Sequence, residues 1–176
     1  MSDVLIVGNG SSLLNQKNGS KIDSFQKIVR FNSFKIKSFE DFVGTRTSSW
    51  VSCNACHLGE KFDEVIFHSW TKDKNSDPLF LKFKKKYPSV KILDLKFIEK
   101  ANELLKVRKF KAPSTGLLAI FHFLNEFEEV TITGFDWWAN SKHHYGDNER
   151  RGTLHEPDLE MKAINQLILD GKLRFL

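Results

Sequence analysis

The stretch that decides the fold is Val4-Leu5-Ile6-Val7-Gly8-Asn9-Gly10. Four apolar residues followed by a glycine-containing turn are typical of a short strand that is buried on both faces. Similar runs follow at residues 28–32, 49–53, 64–69, 90–95, 129–135 and 173–176. Segments with helical spacing separate the later runs, and this alternation predicts an α/β sandwich of three layers around a mostly parallel sheet.

Helices are predicted over residues 78–87, 98–107, 114–127 and 157–170. Pro78 opens the first of them, and Gly171 follows the last in the position that favours glycine after a helix. A chain of 176 residues is long enough for one packed core and short for two. We therefore expect a single domain over residues 1–176.

The composition indicates a globular protein that suits anionic partners. Hydrophobic residues make up 40% and charged residues 28%, with a formal net charge of +5. This charge suits nucleotides, nucleotide-sugars, acidic glycans or an anionic membrane surface, without choosing among them. Neither a secretory leader nor an apolar run of about 18 residues is evident, so we expect no membrane span.

The two cysteines belong to Cys53-Asn54-Ala55-Cys56-His57, which matches the spacing that attaches a c-type haem. Haem attachment requires export, and the segment directly follows a predicted strand, so we interpret the match as a coincidence of two reduced thiols. No second Cys or His pair lies at zinc-ligand spacing, and no Asp-x-Asp pair offers a metal holder. We expect neither a metal nor another cofactor.

A second informative stretch is Pro113-Ser114-Thr115-Gly116, which runs straight into apolar residues. A helix that begins there would direct unpaired N–H groups and the positive end of its dipole at an anion, most usefully a phosphate. The alternative is an ordinary N-cap with a packing glycine. The sequence leaves both interpretations open.

Asn9 and Asn32 end two neighbouring predicted strands. The carboxyl ends of parallel strands are where α/β sheets bind ligands, so the two amides would read a base or hold a phosphate. Each asparagine is also typical of a turn. NAD binding is disfavoured, because the third glycine of the dinucleotide fingerprint and its acidic residue are both missing.

Three histidines lie within or beside one polar loop, residues 136–154: His143, His144 and His155. A neutral histidine is a general base near pH 7, and a protonated one stabilises a departing phosphate. A nucleotide-sugar transfer needs both roles. A serine hydrolase is disfavoured, because the Gly-x-Ser-x-Gly elbow is missing.

These pieces resemble the four motifs of the sialyltransferases of glycosyltransferase family 29. The large sialyl motif is similar to residues 7–10, 22–25, 29–32 and 43–47, and the small motif to residues 113–119, 129–130 and 134–135. His143-His144-Tyr145 is similar to the third motif. His155 and Glu160 repeat the His-x-x-x-x-Glu spacing of the very small motif.

The resemblance implies an inverting, metal-independent transferase that moves sialic acid from a CMP-sugar to a glycan hydroxyl, on a Rossmann-like variant of the glycosyltransferase A fold. By the same resemblance, His155 is the general base and His144 stabilises the departing phosphate. Glu160 supports the loop or helix that carries His155. The implied donor-binding residues are Asn9, Gly10, Asn32, Ser114, Thr115, Gly116, Gly134 and Tyr145.

Animal members join the large and small motifs by a disulfide, but Asp3 and Phe127 occupy the corresponding regions here. The chain therefore resembles a compact bacterial or viral-type member. We expect a cytoplasmic protein that contacts the inner membrane face peripherally, acts on lipooligosaccharide or capsule, and completes its acceptor site with a partner or as a homo-oligomer. The alternatives left open are a CMP-Kdo-dependent transferase, a CMP-sugar hydrolase and a non-catalytic CMP-binding module. No motif indicates specific binding of nucleic acid.

Overall fold

A computed structural model describes residues 3–69, 71, 73–105, 112–137, 144–145 and 154–176. In these ranges, seven strands form one sheet in the order β5-β4-β3-β2-β1-β6-β7, and every pairing is parallel. The strands are β1 (Val4–Val7), β2 (Lys27–Phe31), β3 (Ser49–Ser52), β4 (Glu64–Phe67), β5 (Lys91–Ile92), β6 (Val130–Thr133) and β7 (Leu173–Phe175). The predicted parallel α/β architecture is confirmed.

Six α-helices connect the strands within the described residues. They are α1 (Gly19–Asp23), α2 (Glu40–Val43), α3 (Pro78–Lys86), α4 (Leu95–Leu105), α5 (Thr115–Phe123) and α6 (Pro157–Leu169). Two short 3-10 helices cover Ser11–Asn15 and Lys74–Ser76. None of the helices in the described part of the chain combines the length and apolar character needed to cross a membrane.

The helices lie in two layers because neighbouring side chains of a strand point to opposite faces of the sheet. Val4 and Ile6 pack in one cluster with residues of α4, α5 and α6. Leu5 and Val7 pack in a second cluster with residues of α1 and α2. Trp50 of β3 packs on the same side against α3. The result is a three-layer sandwich.

The predicted fifth strand is shorter than expected and the following helix begins earlier. Residues 90–95 were expected as strand, whereas β5 covers Lys91–Ile92 alone and α4 begins at Leu95. The side chain of Asp94 accepts a hydrogen bond from the N–H of Lys96 at 3.0 Å. An aspartate that bonds the N–H two residues further on caps a helix start, which explains the early beginning.

The site is positioned by the order of the strands. β1 lies between β2 and β6. The chain therefore builds the sheet outward from β1 in one direction with β2, and in the opposite direction only much later with β6. In open α/β sheets such a reversal opens a crevice at the carboxyl ends of the strands, and ligands bind there.

Candidate active site

A cleft of about 580 Å³, including its open mouth, lies at the carboxyl ends of β1, β2 and β6. The lining residues are Asn9, Gly10, Phe31, Asn32, Ser114, Thr115, Gly116, Gly134, Phe135, Asp136, Trp137, His144, His155 and Glu160. Residues that lie far apart in the sequence therefore meet in one place.

The loops after β1 and β6 are tied together at the floor of this cleft. The N–H of Gly8 donates to Thr133 O at 2.7 Å, and that of Gly10 to Gly134 O at 2.9 Å. Gly134 has a φ of +70°, and a Cβ built on it would lie 2.7 Å from Cγ of Leu13. A larger residue at position 134 would therefore be strained and would push the two loops apart.

His155 is held in one tautomer by the backbone. Its Nδ1 lies 2.7 Å from the carbonyl oxygen of Ala112. Because a carbonyl only accepts, Nδ1 carries the hydrogen, and the neutral ring keeps its lone pair on Nε2. This arrangement prepares His155 to take a proton from a ligand.

Glu160, from the first turn of α6, reaches across to the start of α5. Its carboxylate accepts hydrogen bonds from the N–H of Ser114 at 2.7 Å and from its hydroxyl at 2.6 Å. Burial raises the pKa of Glu160, while these two hydrogen bonds and the nearby His155 lower it again in part. Glu160 thus links the start of α6 directly to the start of α5, and its support of His155 stays a prediction.

The start of α5 combines both interpretations of the Pro113–Gly116 stretch. Ser114 is the N-cap, and its hydroxyl accepts from the N–H of Leu117 at 3.2 Å. Gly116 packs closely, since a Cβ on it would lie 2.8 Å from Cζ of Phe31. Thr115 and Gly116 are the first two residues of α5, and N–H groups at these positions have no acceptor within the helix, so a ligand can accept from them.

The two asparagines present opposite halves of their amides. The Nδ2 of Asn9 donates to the carbonyl of Phe31 at 3.2 Å. Its buried Oδ1 is an acceptor with no partner in the described part of the chain. Asn32 instead uses its Oδ1 to accept from the N–H of Cys53 at 3.2 Å. Its Nδ2 therefore remains as a donor.

Backbone strain is concentrated at the cleft. The described residues include three non-glycine residues with positive φ, namely Asn32 at 52°, Ser38 at 74° and Trp137 at 48°. Asn32 and Trp137 both line the cleft. Such conformations persist where the surroundings enforce them, and they cluster at functional sites.

Of the predicted residues, only two lie elsewhere or cannot be placed. Tyr145 lines a smaller cavity behind Asn9, and its hydroxyl bonds both the N–H and the carbonyl of Lys35. Tyr145 is not among the residues that line the main cleft, although its N–H donates to Asn9 O at 2.8 Å, and Asn9 and His144 border both spaces. His143 lies outside the described residues.

Four cleft residues were not predicted: Phe31, Phe135, Asp136 and Trp137. Phe135, Asp136 and Trp137 lie just beyond β6, after Gly134, so the rule that selected Asn9 and Asn32 would also have selected them. Both cysteines are free thiols, as predicted. The described residues contain no group of three His, Cys, Asp or Glu side chains arranged to hold a metal.

Comparison with known proteins identifies the class to which this fold and cleft belong. The chain matches glycosyltransferase family 29 (sialyltransferase) over residues 3–87 and 64–172. It belongs to this family, and the resemblance of its motifs is confirmed.

The relatives include enzymes named for two different sugars. CMP-N-acetylneuraminate-beta-1,4-galactoside alpha-2,3-sialyltransferase of Rattus norvegicus is 26% identical over 86% of this chain and 50% of its own length. Beta-1,6-galactosyltransferase GALT29A of Arabidopsis thaliana is also 26% identical, over 92% of this chain and 50% of its own length. The chain thus spans about half the length of these curated relatives.

Solved structures share the fold. A mammalian sialyltransferase superposes with a TM-score of 0.74 at 22% identity, over 99% of this chain and 68% of its own. The sialyltransferase CstII of Campylobacter jejuni, solved with the substrate analogue cytidine-5'-monophosphate, gives a TM-score of 0.68 at 16% identity, over 100% of this chain and 80% of its own. The Rossmann-like, glycosyltransferase A-type fold is confirmed.

Proposed function

We propose that this protein is an inverting, metal-independent glycosyltransferase that moves sialic acid from CMP-sialic acid to a glycan hydroxyl. The observation that carries the proposal is the tautomer of His155, because a base must have its lone pair available at the reacting oxygen. Membership of the family supports the donor class.

In the proposed reaction, the acceptor oxygen attacks the anomeric carbon while the bond from that carbon to the phosphate oxygen of CMP breaks. The proton of the acceptor hydroxyl passes to Nε2 of His155. The hydrogen bond from Nδ1 to the carbonyl of Ala112 stabilises the imidazolium that forms. The negative charge leaves with CMP, and a protonated His144 at the same cleft stabilises it.

The side-chain amides of Asn9 and Asn32 recognise different parts of the CMP-sugar. The Nδ2 donor of Asn32 and the N–H groups of Thr115 and Gly116 suit a phosphate, which only accepts. The Oδ1 acceptor of Asn9 suits a hydroxyl or amino group of the nucleoside instead. A cytidine monophosphate offers both kinds of group.

The first test follows CMP release and transfer from CMP-sialic acid, with wild type beside His155→Ala and His155→Asn. Asparagine keeps a donor for the carbonyl of Ala112 but has no basic nitrogen. We expect both variants to lose about 10²-fold or more in turnover while CMP affinity stays near that of wild type. A His155→Asn variant with wild-type turnover would exclude His155 as the base.

Metal independence is tested in the same assay by adding a chelator. We expect turnover to be unchanged by EDTA and by added Mg²⁺ or Mn²⁺. Loss of activity with EDTA that one cation restores would require a metal in the reaction.

A second candidate is transfer of another sugar on the same cleft. The Arabidopsis thaliana relative is named as a galactosyltransferase, so one protein similar to this chain is named for a sugar other than sialic acid. CMP-Kdo and UDP-galactose therefore belong in the donor panel. Consumption of one of them in place of CMP-sialic acid would favour this candidate, and CMP binding without any turnover would favour a non-catalytic module.

We also propose a lipooligosaccharide or capsule acceptor, reached from the cytoplasmic face of the membrane. The net charge of +5 and the exposed lysines of α3 support contact with an anionic surface. Binding to anionic vesicles that disappears at moderate salt, without binding to neutral vesicles, is the expected result. Equal binding to both would contradict an electrostatic contact.

A further inference from the structure

The thiol of Cys53 lies behind the cleft, between two residues that line it. Cys53 follows β3, one strand away from Asn32, and it is half-buried. Its Sγ lies 3.3 Å from Oδ1 of Asn32 and 3.7 Å from Oγ1 of Thr115. The thiol therefore joins the end of β2 to the start of α5.

The direction of these hydrogen bonds is fixed by chemistry. The amide oxygen of Asn32 only accepts, so the S–H of Cys53 donates to it. The sulfur then accepts from the hydroxyl of Thr115. The chain runs from Thr115 through Cys53 to Asn32, and donors and acceptors that alternate in this way strengthen one another.

The other polar groups of Asn32 are also taken by β3 and its neighbours. Its N–H donates to Val51 O at 2.9 Å, and its carbonyl accepts from Nε1 of Trp50 at 2.9 Å. The N–H of Cys53 donates to the same Oδ1 as the thiol. If the amide were flipped, its NH₂ group would face the N–H and the S–H of Cys53, which are both donors. Nδ2 is therefore the group that Asn32 offers to a ligand.

We propose that Cys53 is a positioning residue, whose thiol holds the Asn32 amide so that its Nδ2 donates to an acceptor-rich ligand such as a nucleotide phosphate. The inference rests on the proposed function in its choice of CMP as the ligand. The orientation of the amide itself is measurable without any ligand.

The test compares Cys53→Ala, Cys53→Ser and the exposed-thiol control Cys56→Ala. We expect Cys53→Ala to weaken CMP binding roughly threefold to fivefold, because a thiol is a weak donor. Serine keeps the order of donor and acceptor, so Cys53→Ser should recover part of the affinity. Cys56→Ala should bind CMP like wild type.

A double-mutant comparison separates positioning from general damage. In an Asn32→Gly background, which tolerates the positive φ of this position, Cys53→Ala should weaken CMP binding no further, because the group that it positions is gone. Equal weakening in both backgrounds, or no effect of Cys53→Ala in either, would overturn the inference. Thr115→Val, which removes the donor to the thiol, provides a second variant should Cys53→Ala fail to fold.

Amide NMR provides the readout that needs no ligand. The side-chain NH₂ signals of Asn32, assigned by their loss in Asn32→Asp, should shift in Cys53→Ala and stay in place in Cys56→Ala. Unshifted signals in Cys53→Ala would overturn the positioning role. Wild type that does not bind CMP, with shifted Asn32 signals in Cys53→Ala, would contradict the proposed function and leave the positioning role supported.

Discussion

Gly10 and Asp136 share a confined space at the rim of the cleft. The carboxylate of Asp136 accepts from the N–H of Ser12 at 3.1 Å and from the hydroxyl of Ser11 at 3.3 Å. It thereby caps the 3-10 helix that follows β1. A Cβ on Gly10 would lie 2.5 Å from Cγ of that carboxylate, so the glycine makes the contact between the two loops possible.

We predict that Gly10→Ala displaces Asp136 and weakens CMP binding by about tenfold, the equivalent of about 1.4 kcal/mol. Calorimetric titration with CMP measures the effect. Adding Asp136→Ala should restore part of the affinity, since it removes the group that the new methyl meets. Gly10→Ala with wild-type affinity would show that the rim adapts without cost.

The carboxylate of Glu160 accepts hydrogen bonds from two donors of Ser114 at once, and a glutamine side chain cannot do the same. A glutamine side chain offers one accepting oxygen and one donating nitrogen, so one Ser114 donor would lose its acceptor. Glu160→Gln should therefore lower the free energy of unfolding by about 1–3 kcal/mol and weaken CMP binding.

Denaturant unfolding and CMP titration of Glu160→Gln test this prediction. The matched control is Asp158→Asn, which changes an exposed carboxylate in the same helical turn. Equal effects of the two substitutions would mean that only the charge near the helix start matters.

Local sequence rules and the family resemblance together located most of the cleft, but not the contacts behind it. Asn9 and Asn32 were found because they follow strands, and His144 and His155 because they share a loop. The hydrogen bonds that Thr115 donates to Cys53 and Ser114 donates to Glu160 join residues 62 and 46 positions apart. No local spacing encodes such pairs, so their partners could not be predicted.

At the scale of elements, one carboxylate joins four strands near their amino-terminal ends, opposite the cleft. Glu64 of β4 bonds Lys27 of β2 at 2.8 Å, and it also pairs with Lys91 of β5. Ser49 of β3 donates to it at 2.9 Å. Burial opposes its ionisation, but these partners outweigh burial and lower the pKa of Glu64 to about 2.

We predict that the protonation of Glu64 causes part of the fall in the free energy of unfolding at acidic pH. Because the folded pKa of Glu64 is below its ordinary value of 4.5, the stabilisation from Glu64 is present above pH 4.5 and is lost as pH falls towards 2. Its size is about 2 kcal/mol once the exposure of Lys91 is discounted. Glu64→Gln should remove this pH dependence.

Denaturant unfolding at several pH values compares Glu64→Gln with Glu99→Gln, an exposed position on α4. CMP affinity should be unchanged in both variants, because Glu64 lies at the amino-terminal end of β4 and the cleft lies at the carboxyl ends of the strands. A parallel pH profile for wild type and Glu64→Gln would contradict the assignment.

Elements were predictable in proportion to their length and burial. The apolar runs of β1 and α5 left little choice, since α5 buries all of its residues except His122. α1 and α2 have five and four residues, too few for a helical period to be recognised. The cap at Asp94 shortened β5 in favour of α4, which an apolar run alone does not reveal.

At the scale of the whole molecule, the sheet joins distant parts of the chain. β1 pairs with β2 on one side and with β6 on the other, where Leu5 lies opposite Thr131. β6 in turn holds β7. The centre of the sheet therefore cannot form from the first half of the chain alone.

We predict that residues 1–176 unfold as one cooperative unit. Far-ultraviolet circular dichroism, which follows the helices, and tryptophan fluorescence, which includes the buried Trp50, should give coincident transitions. A chain truncated before β6 should not fold. Two separate transitions would contradict a single domain.

The left-handed backbone of Asn32 restricts how this cleft can evolve. At a φ of 52°, branched or bulky residues are penalised, and asparagine, aspartate and glycine are tolerated best. Glycine has no side-chain amide and ionised aspartate has no side-chain donor. Backbone geometry and ligand contact therefore both favour asparagine at this position. A library that seeks new donor sugars should keep position 32 fixed and vary Phe31, Phe135 and Trp137, where shape can change without loss of the amide.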